Sequence, residues 1–276
     1  MLLKQPLWGV LALYLEPVEW DLPWIAGTDY SKLYYNPERI AQMPEGQVRW
    51  VILHEILHVA LDHFSRRGSR EQGRWNCAAD FAINWLIEKE NENRDVGMEK
   101  PEGILLSDDF ANMTAEAIYE KLPECSGKIK CPKCGATGKD IKGKVIKSKP
   151  PIYEVEFTCG KCGHKWRQWI YPRHGEGDDE GVEIEGLPED LDRHMEPIGK
   201  AGGKEREEVV REWQRRLAQA ATAAKQRGTL PGWMEELIAA SMEPKVSWRQ
   251  LLAQYIIKRY KNGFKWSPPS RRTIHT

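Results

Sequence analysis

His54-Glu55-Ile56-Leu57-His58 sets two imidazoles four residues apart with a carboxylate directly after the first. On a helix turning about 100° per residue, the two histidines lie about 40° apart on successive turns, so both rings reach one cation. Glu55 then stands beside them, where a carboxylate takes a proton from a metal-activated water and passes it to a leaving amine. Peptide hydrolysis by this route needs a third protein ligand and a fourth position left for water. Two residues compete for the third place. Asp80 belongs to an i, i+4, i+8 series with Asn76 and Asn84 on an otherwise apolar stretch, and a buried carboxylate is costly unless it is paired or holds a metal. It is the preferred ligand; its other reading is a carboxylate that orients a ligand histidine. His63 extends the pattern to HExxHxxxxH, but on an unbroken helix it lies about 180° from His54, and no Gly or Pro intervenes. It is the alternative third ligand, or a residue behind the ligands or facing substrate. The plain structural reading of the same motif is a pair of core histidines on one helix.

A second cluster of potential ligands lies further on. Cys131-Pro-Lys-Cys134-Gly and Cys159-Gly-Lys-Cys162-Gly are two CxxCG turns, each offering two thiolates to one ion. Four sulfurs close a tetrahedral site, so this zinc is structural and cannot activate water. The remaining cysteines, Cys77 and Cys125, stand outside the pairs, and Cys77 falls on a stretch that reads as plain core. Eight lysines between Lys128 and Lys149, followed by Trp166, Arg167 and Trp169, suit a phosphate backbone with stacked bases. The plainer reading is a solvated sheet surface with the tryptophans packed beneath it.

The elements that position these residues follow from periodicity. Leu11–Glu19, Trp24–Ala26 and Leu33–Tyr35 have strand composition, with turns expected at Gly27-Thr28-Asp29 and Asn36-Pro37. From Gln47 to Phe64 the stripe Trp50, Leu53, Leu57, Leu61, Phe64 predicts the helix that carries the HExxH motif. After a Gly68–Gly73 loop, Trp75–Glu90 reads as a buried helix, and Thr114–Leu122 as a short one with a partial capping box. Lys204–Arg227 is helical with a Val210, Trp213, Leu217, Ala221, Ala224 stripe, stopped at Gly228. Shorter helices are expected over Gly232–Met242 and Ser247–Tyr260.

With these motifs in place the chain resembles a family. HExxH followed by a carboxylate on a second helix is similar to the gluzincin and aspzincin metallopeptidases, and HEILHVALD from His54 is gluzincin-like. The closer resemblance is to the bacterial and phage zinc metallopeptidases that usually carry a C-terminal VWA-like domain. It is carried by LYYNPERI, HEILHVALDHFSRR, RWNCAADFAINWLI, AEAIYEKL, VSWRQLL and SPPSRR, covering most of the chain outside residues 125 to 200. The resemblance implies a zincin-like fold, zinc-dependent peptidase activity on a peptide or protein substrate, and association with an AAA ATPase. The sequence reaches Thr276 without a VWA-like domain, which is its departure from that pattern.

Composition bounds what remains. The chain has 276 residues, 41 Lys+Arg against 41 Asp+Glu, 41% hydrophobic and 30% charged residues, which suits a soluble globular protein. The zero net charge conceals segregated blocks: Lys121–Pro150 carries a net +7, Glu176–Asp192 a net −9, and Lys245–Arg272 a net +8. The acidic block is therefore expected to cover a basic surface of the same chain. No apolar run reaches the roughly 18 residues of a membrane helix, and Leu7–Leu15 reads as a buried element rather than an export signal. Paired CxxC motifs without an export signal point to metal binding in the cytoplasm.

The expected fold class is α+β: a zincin-like core over 1–124, a zinc-ribbon insertion over 125–172, an acidic linker over 173–203, and a helical segment over 204–276 packing back on the core. The expected function is a zinc metallopeptidase with one catalytic zinc on His54, His58 and Asp80 (or His63), Glu55 as general base, and one structural zinc on Cys131, Cys134, Cys159 and Cys162. The alternative is a non-catalytic zinc-binding adaptor whose ribbon recognises nucleic acid or a protein partner. It would show the fourth position at His54 and His58 filled by a further protein ligand such as His63.

Overall fold

A computed structural model describes residues 6–21, 25–94, 97–125, 129–171, 182–186, 203–230, 232 and 235. The chain is mixed α+β, with two small sheets and helices packed around two principal cores. The described residues belong to one compact unit, Met1–Ile238. The helices expected beyond Gly232, and most of the acidic linker, lie outside the described residues.

The first element departs from expectation. Leu7, Trp8 and Leu11 lie on one face of a helix, α1 (Pro6–Ala12), and are fully buried, where strand was expected from Leu11 onward. The strand starts later, as β1 (Glu16–Glu19), and runs parallel to β3 (Lys32–Tyr35). β2 (Ala26–Thr28) pairs antiparallel with the other edge of β3, so Gly27 and Thr28 belong to a strand and the chain turns at Asp29 instead. Asp29 accepts from the backbone of Ser31 and Lys32 (3.0 and 2.8 Å) and from the Tyr34 hydroxyl (2.9 Å). Burial and the Asp29 carboxylate push the Tyr34 phenol up to about 12. Asn36-Pro37, expected as a turn, is a helix start: the Asn36 side chain caps the amides of Glu38 and Arg39 and Pro37 opens α2 (Pro37–Gln42).

Three long helices build the principal core. α3 (Glu45–Ala60) carries the HExxH motif, α5 (Gln72–Arg94) carries Asp80 and Asn84, and α7 (Gly203–Gln226) brings Trp213, Leu217, Ala220, Ala221 and Ala224 against α1 and α3. α3 buries Trp50, Leu53, Ile56 and Leu57 together with the imidazoles of the motif. α5 begins where the Glu71 carboxylate accepts the amides of Gly73 and Arg74 (3.1 and 2.6 Å). Its opposite face meets α6 (Ala115–Lys121), which starts with Thr114 accepting the amide of Ala117 at 3.3 Å.

A four-stranded sheet, ordered β6-β5-β4-β7, forms the remainder: β4 (Ile141–Lys149), β5 (Ile152–Cys159), β6 (Lys165–Ile170) and β7 (Glu183–Glu185). One face packs Ile141, Val155, Phe157 and Ile170 into a small core. Gly143 is required there, since a Cβ would approach Val155 and Phe157 to 2.8 Å. Register places Lys142, Lys144, Lys147, Lys165 and Arg167 on the other face together with Glu154 and Glu156. β7 comes from the acidic stretch and lies parallel to β4, with Glu183 and Glu185 opposite Lys142 and Lys144. No helix among the described residues is long and apolar enough to cross a membrane.

Candidate metal centre

α3 and α5 bring His54, His58 and Asp80 together. His54 Nε2 and His58 Nε2 are 2.8 Å apart, and Asp80 Oδ1 lies 3.7 Å from the first and 3.4 Å from the second. A tetrahedral zinc with bonds of about 2.0–2.1 Å has ligand–ligand edges of roughly 3.3 Å, so this triangle matches one face of such a site. The donor set, two imidazoles and one carboxylate, suits a catalytic zinc with an open position. His58 is wholly buried and His54 nearly so, whereas the Asp80 side chain keeps 19% of its surface, so the cluster opens to solvent beside Asp80. Glu55, next to His54 on α3, is buried.

Both histidines are held from behind. Asn84, one turn beyond Asp80 on α5, donates through Nδ2 to the Leu105 carbonyl (3.1 Å) and accepts at Oδ1 from Trp50 Nε1 (3.3 Å). Those two bonds fix the amide so that Oδ1 faces His54 Nδ1 at 2.9 Å. His54 Nδ1 therefore carries a hydrogen, which leaves Nε2 as a lone-pair donor facing the cluster.

His63 is where the continuous-helix expectation fails. α3 ends at Ala60, and Asp62 adopts a left-handed conformation (φ 53°) before α4 (His63–Arg66) resumes. The break swings His63 back toward the site, with its Nδ1 3.2 Å from His58 Nδ1, on the ring nitrogen opposite the Asp80 cluster. With a cation on Nε2 of His58, its Nδ1 would carry the hydrogen and His63 would accept it, placing the His63 hydrogen on Nε2. His63 is buried and its carbonyl accepts from Trp75 Nε1 at 2.9 Å.

The break has its own supports, none visible as a local motif. The Tyr30 hydroxyl donates to Asp62 Oδ1 and lies 3.1 Å from Ser65 Oγ. Arg66 donates to the Leu61 carbonyl at 2.8 Å and forms a bidentate pair with Glu116 of α6 (2.9 and 2.5 Å). A left-handed residue other than glycine costs about 1–2 kcal/mol, less for Asp, and one charge-assisted hydrogen bond of roughly 1.5–3 kcal/mol offsets it. Burial raises the Glu116 carboxyl, but the Arg66 guanidinium outweighs it and the net shift is downward.

The four cysteines of the CxxCG turns also converge. Cys131 Sγ is 3.6 Å from Cys162 Sγ and Cys134 Sγ is 3.6 Å from Cys159 Sγ, near the roughly 3.8 Å edge expected for zinc–sulfur bonds of about 2.3 Å. Gly135 (φ 75°) and Gly163 (φ 69°) close the two turns in conformations that side chains resist. Burial raises the Cys131 thiol, yet the amides of Cys134 and Lys133 and the neighbouring thiols bring it down to about 6. The amide of Ala136 lowers the Cys134 thiol, but Cys162, burial and the neighbouring Cys159 and Cys131 outweigh it and push it up to about 12. Crowded thiols that cannot all ionise alone are what a cation relieves.

Of the lysine-rich surface, Trp166 lies on the apolar side of the sheet, stacked on Phe157 at 5.3 Å, and Trp169 packs toward the α5–α6 core. Lys142 and Lys144 meet Glu183 and Glu185 at 3.5 and 3.4 Å. Glu183 and Glu185 of the acidic stretch thus lie beside these two lysines at β7, while all four side chains stay largely exposed and most of that stretch lies outside the described residues.

Comparison with known proteins adds a family. A protein of Thermotoga maritima described as an uncharacterized protein is 40% identical over 57 residues, 20% of this chain and 14% of that protein. The match thus spans about one seventh of that relative's length. No solved structure matches the chain. A family model described as "Putative metallopeptidase domain" matches residues 1–276, in agreement with a histidine–carboxylate cluster that could hold a metal ion, and the chain belongs to that family.

Proposed function

We infer that the protein is a zinc-dependent peptidase of the zincin type, with His54, His58 and Asp80 as the metal ligands and Glu55 as the general base. The observation that carries this reading is the triangle of His54 Nε2, His58 Nε2 and Asp80 Oδ1, whose 2.8–3.7 Å edges suit one tetrahedral ion. Asp80 is preferred to His63 as third ligand because His63 reaches the Nδ1 of His58, away from the cluster. A zinc ion bound there would polarise the scissile carbonyl and lower the pKa of the attacking water. Asn84 and His63 keep the two imidazoles in the tautomers that leave Nε2 available. Glu55 takes the proton of the water on its carboxylate and returns it to the leaving amine. The cysteine site holds a second, structural zinc that fixes the turns of the sheet domain.

The testing experiment pairs Glu55→Gln with His54→Ala in the full chain, assayed on an unstructured protein substrate. Glu55→Gln is expected to keep two zinc ions per chain and lose hydrolysis by at least about a hundredfold. His54→Ala is expected to lose one zinc and all activity. Undiminished hydrolysis by Glu55→Gln would falsify the assignment.

A further inference from the structure

Tyr30 and Asp62 both sit at positive φ, 79° and 53°, and they are bonded to each other through the Tyr30 hydroxyl and the Asp62 carboxylate. An aromatic residue rarely adopts such a backbone, so something holds it there. The Trp213 indole of α7 donates to the Tyr30 carbonyl at 2.6 Å, a buried bond between residues 183 positions apart. The Tyr30 ring leans on Phe64 with centroids 4.8 Å apart, and its hydroxyl also lies 3.1 Å from Ser65 Oγ. One side chain therefore touches the turning residue and the first turn of α4.

We propose that Tyr30 is a positioning residue for His58, acting through Asp62 and His63, and that α7 holds it in place through Trp213. On an unbroken helix His63 would stand about 180° from His54. The left-handed turn at Asp62 instead delivers His63 Nδ1 to 3.2 Å from His58 Nδ1. That contact fixes the tautomer and plane of the His58 ring, and outer hydrogen bonds of this kind commonly change metal affinity by about 10–100-fold. Docking of α7 and readiness of the metal cluster are thereby one event: a chain whose α7 is displaced has a loosened Tyr30, a free Asp62 turn and a His58 ring without its acceptor. The consequence for metal, and the placing of the His58 hydrogen on Nδ1, rest on the reading of His54, His58 and Asp80 as a zinc site; the hydrogen-bonded contact of His63 with His58 does not.

Three variants of the full chain test this. Tyr30→Phe removes only the hydroxyl, Trp213→Phe keeps the ring and removes the N–H, and Asp62→Asn keeps an acceptor on a residue that tolerates the left-handed turn. Nitrogen-15 NMR of the imidazoles reads which His58 nitrogen carries the hydrogen and how well it is protected from exchange. Competition against a chelator reads zinc affinity at the histidine cluster, with the cysteine site as internal reference for an intact fold. In the native chain and in Asp62→Asn, His58 is expected to hold a protected hydrogen on Nδ1. In Tyr30→Phe and Trp213→Phe that protection is lost and the histidine-site affinity falls about tenfold or more, while the cysteine site is unchanged. A protected Nδ1 hydrogen persisting in Tyr30→Phe overturns the proposal. A native chain that takes up zinc only at the cysteines overturns the metal reading instead, and the loss or persistence in Tyr30→Phe of a protected hydrogen between His58 Nδ1 and His63 Nδ1, on whichever ring it sits, still decides this one.

Discussion

Asn84 Oδ1 accepts the Nδ1 hydrogen of His54 at 2.9 Å while the opposite nitrogen of the same ring lies 3.7 Å from Asp80. One helix, α5, thus supplies both the carboxylate placed to share an ion with His54 and the group that orients its ring, four residues apart. Asn84→Ala is expected to weaken zinc at the histidine cluster by about 10–100-fold without touching the cysteine site. It also strands Trp50 Nε1 and the Leu105 carbonyl, for a loss of about 1–3 kcal/mol in folding stability. Chelator competition and urea unfolding measure the two effects separately. Equal zinc affinity in native and variant chains would show that His54 needs no such acceptor.

The third ligand separates by stoichiometry. Asp80→Ala removes the carboxylate 3.4 Å from His58 Nε2, and the chain is expected to bind one zinc instead of two. His63→Ala removes only the acceptor behind His58, so two zinc ions remain, the second held more weakly. The reverse pattern, one zinc in His63→Ala and two in Asp80→Ala, would exchange their roles.

Much of this site is legible in the sequence because its spacing is local. Four residues separate His54 from His58 and Asp80 from Asn84, and the helical period alone puts each pair on one face. The CxxCG turns are local in the same sense, with glycine marking the required positive φ at 135 and 163. His63 is different. Its position depends on a break with no Gly or Pro, held by Tyr30 from 32 residues upstream and by Arg66 through Glu116 of α6. Contacts that distant leave no mark in a window of a dozen residues, so the continuous-helix expectation had nothing local against it. α1 failed for a related reason: seven residues with three apolar anchors fit strand and helix alike, and only burial against α3 and α7 decides.

Acid should loosen the same break. Against burial, Arg66 holds the Glu116 carboxyl below its usual value of 4.5, so the pair contributes stability that is complete above that pH. The contribution disappears as pH falls through the lowered value and the carboxylate is neutralised. Glu116→Gln is expected to be less stable than the native chain by about 0.5–1 kcal/mol at pH 7, since the pair is partly exposed to solvent. The difference should shrink steadily as pH drops below 4.5, measured by urea unfolding across the range. A difference that stays constant with pH would mean that charge pairing is not its source.

Metal removal should act regionally. The small core of Ile141, Val155, Phe157 and Ile170 is separate from the one built by α1, α3, α5 and α7. Cys131→Ser or chelation is therefore expected to raise hydrogen exchange over 129–170 while α3 and α5 amides stay protected. Uniform loss of protection along the whole chain would tie the two cores into one cooperative unit.

β7 is the piece of the acidic stretch whose partners are visible, and its attachment is thin. It has three residues, a parallel ladder to β4, and two ion pairs, Lys142–Glu183 and Lys144–Glu185, at 3.5 and 3.4 Å. All four side chains keep at least two thirds of their surface exposed, so each pair contributes about 0–1 kcal/mol. Val182 and Ile184 pack toward the apolar face and add a hydrophobic component that salt does not screen. The two contributions respond differently to salt, which separates them. Around 1 M salt the screening length is about 3 Å, the ion pairs weaken and apolar burial does not. If charge holds β7, exchange of the 182–186 amides rises with salt and Glu183→Lys with Glu185→Lys frees the strand. If Val182 and Ile184 hold it, neither changes exchange much and Ile184→Ser does. The segregated charge along the sequence favours the first outcome. That face of the sheet carries Lys142, Lys144, Lys147, Lys165 and Arg167 against Glu154 and Glu156 of β5, and β7 adds Glu183 and Glu185 beside Lys142 and Lys144.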